Sequence, residues 1–119
     1  MSQITKDDVE KFLEEFKTKL KVFGIIFEQR EKNKQALIDL EITSDNRIQF
    51  IEKLKPDNYY AGPKKDTNDV GSSYYWEFGT TVKGKEVYIK IKMDSINNSV
   101  ICISFHVAEF KIMYPLLKK

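Results

Sequence analysis

The stretch EVYIKIKMDSINNSVICISFH, residues 86–106, constrains the fold more than any other part of the chain. Two runs that alternate apolar and polar residues flank a polar turn, the pattern of a half-buried antiparallel hairpin. Val87, Ile89, Ile91 and Met93 share one face of the first run, and Ile101, Ile103, Phe105 and Val107 share one face of the second. Packing these two sets against helices gives a core. The opposite face then carries Glu86, Tyr88, Lys90 and Lys92 beside Cys102, Ser104 and His106. A five-residue loop, Ser95 to Ser99, sets Tyr88 opposite His106 and Lys90 opposite Ser104. A three-residue loop sets Glu86 opposite His106 instead. In either register the only histidine shares a solvent face with Tyr88 and Lys90.

The N-terminal half supplies the helices. Thr5 and Asp8 make a capping-box start, and Val9, Phe12, Leu13, Phe16 and Leu20 recur at helical spacing as far as Val22, with Gly24 as the stop. The outer face of this helix mixes charge signs, as an ordinary solvated surface does. Gly24 to Phe27, GIIF, reads as an edge strand. The spacing predicts a second helix over Asn33 to Leu40 and a third that Asp45 caps and Pro56 stops, carrying Ile48, Ile51 and Leu54. DLEIT, between them, admits a strand instead.

Asp57 to Ser73 is rich in Gly, Pro, Asn, Asp and Ser and reads as loop. In YYWEFGTTV, Trp76 and Phe78 point to the core, and Glu77 joins the face of Tyr88 if this strand is the hairpin's neighbour. GTTVKGK turns the chain. The tail KIMYPLLKK should pack through Ile112, Met113, Leu116 and Leu117. The sum is an α+β domain, with N-terminal helices on one face of a C-terminal antiparallel sheet of three to four strands.

Composition narrows the function classes. A chain of 119 residues is the size of one domain, spanning 1–119. No apolar run reaches the ~20 residues of a membrane span, and MSQITKDDVEKF has no signal-peptide core. Cys102 has no second cysteine for a disulfide or a zinc site, which fits a reducing, cytoplasmic setting and neither metal nor cofactor. Residues 1–52 hold 9 basic and 11 acidic side chains, a net of −2; residues 53–119 hold 11 and 7, a net of +4. The hairpin therefore lies in the basic half, which suits a polyanion. Only Arg30 and Arg47 are arginines, so bidentate phosphate clamping is scarce.

Glu77, Tyr88, Lys90 and His106 thus bring a carboxylate, a phenol, an ammonium and an imidazole to one face, beside the loop lysines Lys64 and Lys65. RNA cleavage without a metal needs such groups: a base for the 2′-hydroxyl, a cation for the phosphorane and an acid for the leaving 5′-oxygen. A plainer reading stands beside this one. A histidine ending a strand is commonly just exposed, and outward lysines discourage edge pairing.

Tyr59 and Tyr60 before the glycine–proline loop, Trp76–Glu77, Gly84 followed by VYIKI, and ICISFH resemble the motility quorum-sensing regulator (MqsR) family of toxins, over roughly the second half of the chain. The resemblance implies a RelE-like fold and a messenger-RNA interferase held inactive by a cognate antitoxin. It places the family's tyrosine on Tyr88, its polar residue after the tryptophan on Glu77 and its basic strand-end residue on His106. Lys90 joins these as a catalytic candidate, and Tyr60, Lys64, Lys65 and Lys92 are the expected contacts to single-stranded RNA. The family's lysine after the aromatic pair falls on Ala61. Either Lys64 or Lys65 supplies the cation, or cleavage is altered or lost. A rival reading is a non-catalytic RNA- or protein-binding module, a decayed toxin of the same fold.

Overall fold

A computed structural model describes residues 3–67, 73–93 and 99–117. Helix α1 spans Lys6–Phe23. Thr5 caps it: its hydroxyl accepts from the Asp8 amide, and the Asp8 carboxylate accepts from the Thr5 amide, satisfying two amides that a helix start leaves open. Asp8 is held below the usual carboxylate range chiefly by that backbone hydrogen bond. Val9, Phe12, Leu13, Phe16 and Leu20 form the buried stripe.

Helix α2 spans Glu31–Asp39 and α3 spans Asn46–Glu52. The α3 start differs from expectation, because the Asp45 side chain makes no capping bond. Thr43 and Asn46 exchange backbone-to-side-chain bonds there instead. Asp39 of DLEIT ends α2 and its other four residues form the turn before α3, not a strand. Helix α3 ends at Glu52, so Leu54 is buried from the segment after it, and Pro56 opens a 3-10 turn, Pro56–Asn58.

Five strands follow the order β1-β5-β4-β3-β2: β1 Ile25–Phe27, β2 Tyr59–Lys65, β3 Tyr74–Val82, β4 Lys85–Met93 and β5 Val100–Val107. The architecture is α+β, but the sheet is five-stranded and mixed. GIIF supplies an edge strand, β1, which runs parallel to β5 and so lies outside the antiparallel meander. Strand β2 replaces part of the expected loop. Two register shifts against β3 break its alternation, which hides it from periodicity. Gly62 sits in the bulged stretch at φ +111°, where a Cβ would stand 2.9 Å from the Tyr75 carbonyl oxygen, so only glycine fits. The β3–β4 turn is confined to Lys83 and Gly84, so Thr80–Val82 are strand rather than turn.

Between β4 and β5 the pairs Tyr88–His106 and Lys90–Ser104 are those of the five-residue-loop register. A bulge after Lys90 then shifts the pairing by one, to Ile91–Cys102, Lys92–Ile101 and Met93–Val100. The loop itself, apart from Ser99, lies outside the described residues. The bulge corrects the expected faces: Val100 and Cys102 enter the core, and Ile101 is only half-buried. Burial pushes the Cys102 thiol up to about 12. The core joins the α1 stripe, Ala36, Leu40, Ile51 and Leu54 to Phe78, Val87, Ile89, Ile91 and Phe105. Each such aliphatic or aromatic side chain contributes about 1.5–3 kcal/mol on burial. Trp76 packs on this core as expected, stacked on Phe12 at 4.5 Å. Among the described residues no helix is long and apolar enough to cross a membrane.

Candidate functional site on the outer face of the sheet

Register carries the site. Glu77 pairs with Lys90 across β3 and β4, Gly79 with Tyr88, and Tyr88 with His106 across β4 and β5. Strand alternation leaves Glu77, Tyr88, Lys90 and His106 on the face opposite the core.

Glu77 is only 5% exposed although it faces away from the core. The cover comes from β2, where Ala61 lies opposite Glu77 and the bulge brings the Lys64 ammonium to 2.9 Å from its Oε1. This hydrogen bond raises Lys64 above the ordinary lysine value, so its positive charge is secured. Glu77 also faces the Tyr88 phenol. Burial first, then the Glu77 charge and its hydrogen-bonding contact, hold that phenol far above the usual tyrosine range. Tyr88 is therefore a hydrogen-bond donor, not a base.

His106 is half-buried, with its ring centroid 5.4 Å from that of Tyr88. Its Nδ1 lies 3.0 Å from the Val107 carbonyl oxygen. A carbonyl only accepts, so Nδ1 carries the proton and Nε2 is the nitrogen free for chemistry. Lys90 places its ammonium 4.0 Å from the centre of the Tyr75 ring, a cation–π contact that holds it on this face. Tyr88, Lys90 and His106 line a cleft of about 290 Å³ together with Ser104, Arg30 and Lys32.

Other expected residues lie elsewhere. Lys92 is buried, with its ammonium 2.6 Å from Asp66 Oδ2 and 3.4 Å from Ser73 Oγ. It is thereby withdrawn from the RNA contacts assigned to it. Lys65 is exposed at the end of β2. The Tyr60 ring lies 5.5 Å from Phe110, which in turn lies 6.0 Å from Tyr88.

Sequence reasoning missed three contributors. Arg30 and Lys32 arrive with the start of α2, a segment distant in sequence from the hairpin. Asn33 fixes α2 there: its Nδ2 donates to the carbonyls of Ile103 and Glu28, and its Oδ1 accepts from the Phe105 amide. One amide side chain thus pairs with β5 beyond the end of β1. The third is the place of the tail, which was expected to pack but not beside this cleft. Phe110 walls the cleft, Ile112 is buried, and the Glu86 carboxylate accepts from the Ile112 amide at 3.2 Å and the Tyr114 hydroxyl at 2.9 Å. Of the four tail residues expected to pack, Ile112 is buried and Leu116 packs against the core, whereas Met113 and Leu117 are exposed. The apolar residues of the tail were the signal for its docking, whereas Glu86, between Lys85 and Val87, reads like any outward strand residue.

No family model, curated protein or solved structure matches the chain.

Proposed function

We propose that the chain is a metal-independent endoribonuclease of the RelE-like, MqsR-related toxin kind, cutting single-stranded messenger RNA in the cytoplasm and restrained by a cognate antitoxin. The observation that carries this reading is the Lys64–Glu77–Tyr88 cluster set beside His106 and Lys90 on one sheet face. In this mechanism neutral His106 Nε2 takes the 2′-hydroxyl proton as O2′ bonds to phosphorus and the P–O5′ bond breaks, and the leaving 5′-oxygen takes its proton from solvent. Lys64 and Lys90 stabilise the charge that builds on the phosphorane, and the Tyr88 hydroxyl turns its single proton from Glu77 to a phosphoryl oxygen when RNA is bound. Glu77, occupied by Lys64 and Tyr88, is a positioning residue and not the base. Lys64 takes the part that the family gives to the lysine at the place of Ala61.

Attack by a 2′-hydroxyl leaves a 2′,3′-cyclic phosphate and a 5′-hydroxyl end. Single-stranded RNA incubated with the protein in EDTA should yield those ends, and 2′-deoxy substitution at the cleaved nucleotide should block the cut. Products with 5′-phosphate ends would sink the mechanism.

The second reading, an RNA- or protein-binding module, is favoured by Ala61 and by the tail against Tyr88. It predicts salt-sensitive RNA binding with no products and no growth arrest on expression.

A further inference from the structure

A second cleft, of about 370 Å³, is lined by Phe27, Asn33, Lys34, Leu37, Ser44 and Arg47. Arg47 is 6% exposed, and its guanidinium lies 3.8 Å from the centre of the Phe27 ring. Among the described residues no carboxylate lies within ion-pair distance of it. Its Nε and Nη2 donate to the carbonyl and hydroxyl of Ser44. No hydrogen bond within the described residues uses Nη1, and no fully buried side-chain nitrogen there lacks a partner, so Nη1 is not fully buried, and Arg47 lines the cleft. A buried guanidinium with no carboxylate in direct contact is unfavourable, and a planar fork of donors suits a carboxylate. Of the charged lining residues, Glu28 is paired with Arg30 and Lys34 with Glu31, so among the described residues the Arg47 charge is the one left unpaired. Phe27 and Leu37 add apolar wall.

We propose that this cleft binds a small organic monocarboxylate. The carboxylate sits on Arg47 Nη1, with the Ser44 hydroxyl proton as a second donor, and the hydrocarbon part lies against Leu37 and Phe27. One unpaired positive charge matches a monocarboxylate and not a phosphate dianion. The volume falls in the range of ordinary small-ligand sites. This site does not depend on RNA cleavage.

The full chain is titrated with benzoate, acetate and inorganic phosphate, following amide NMR shifts. Benzoate should saturate with Kd below about 10 mM and shift the amides of Leu37, Ser44 and Arg47 most. Acetate, lacking an apolar body, should bind about tenfold more weakly. Arg47→Gln should weaken benzoate by about tenfold or more. Gln29→Glu, an exposed position of the cleft lining, should weaken it several-fold by adding a second negative charge. Absence of saturation by benzoate, or phosphate binding as tightly, overturns the proposal. So does a folded Arg47→Gln variant with the parent's affinity. If that variant does not fold, undiminished binding by Gln29→Glu overturns it.

Discussion

Glu77→Gln removes the charge that holds Lys64 and faces the Tyr88 phenol. The Tyr88 phenol should then titrate lower than in the parent yet stay above the ordinary range, because burial, the first cause of its shift, remains. Tyrosinate absorbance of this variant, with Tyr88→Phe to identify the signal, checks the sign; an unchanged titration would remove Glu77 from the account. RNA cleavage should fall by about tenfold or more as Lys64 and Tyr88 lose their anchor. Strand alternation is a strictly local rule, so Tyr88, Lys90 and His106 on one face were legible in the sequence. The burial of Glu77 was not, because it depends on Lys64 reaching across two irregularities of β2. Lys92 was misread for a related reason: Asp66, distant in sequence, folds over it.

At the scale of elements, the edge of β5 and the tail set the shape of the cleft. Asn33→Ala deletes three hydrogen bonds and leaves the Phe105 amide and the Ile103 carbonyl without that partner. Urea denaturation should show a loss of about 2–3 kcal/mol, and a loss below about 0.5 kcal/mol would refute the edge-capping role. Gly79 is where the tail crosses the sheet. A Cβ there would stand 2.5 Å from the Tyr114 hydroxyl and 2.8 Å from Ile112 Cδ1. Gly79→Val should therefore dislodge the tail and make residues 108–117 sensitive to limited proteolysis, with the sheet intact. Resistance equal to the parent's would show that the tail is not seated through this contact. Helix α1 was legible almost to the residue because its stripe and capping box are both local. Strand β2 and the β5 bulge were not, since a bulge removes the period by which a strand is read.

The molecule as a whole should lose stability on the alkaline side. Cys102 is pushed up from 9.0 to about 12 by burial, and Tyr114 from 10.0 to about 12 by burial and then by its hydrogen bond to Glu86. Tyr88 is raised as well, so the unfolded chain releases these protons first. The stabilisation is complete below about pH 9 and is lost as pH rises towards 12. Lys64 adds the same sign, whereas Lys17, lowered by burial, opposes it. The urea midpoint should fall between about pH 9 and 11, less steeply in Cys102→Ala and in Tyr88→Phe, and a flat profile would contradict these assignments. The central claim concerns the sheet face, and one comparison tests it most directly: cleavage of single-stranded RNA in EDTA by the parent, His106→Ala and Tyr88→Phe, each first shown to be folded. The account predicts cleavage by the parent and a loss of about a hundredfold or more in each variant. Variants that cut as fast as the parent, or a parent that binds RNA without cutting it, would contradict it.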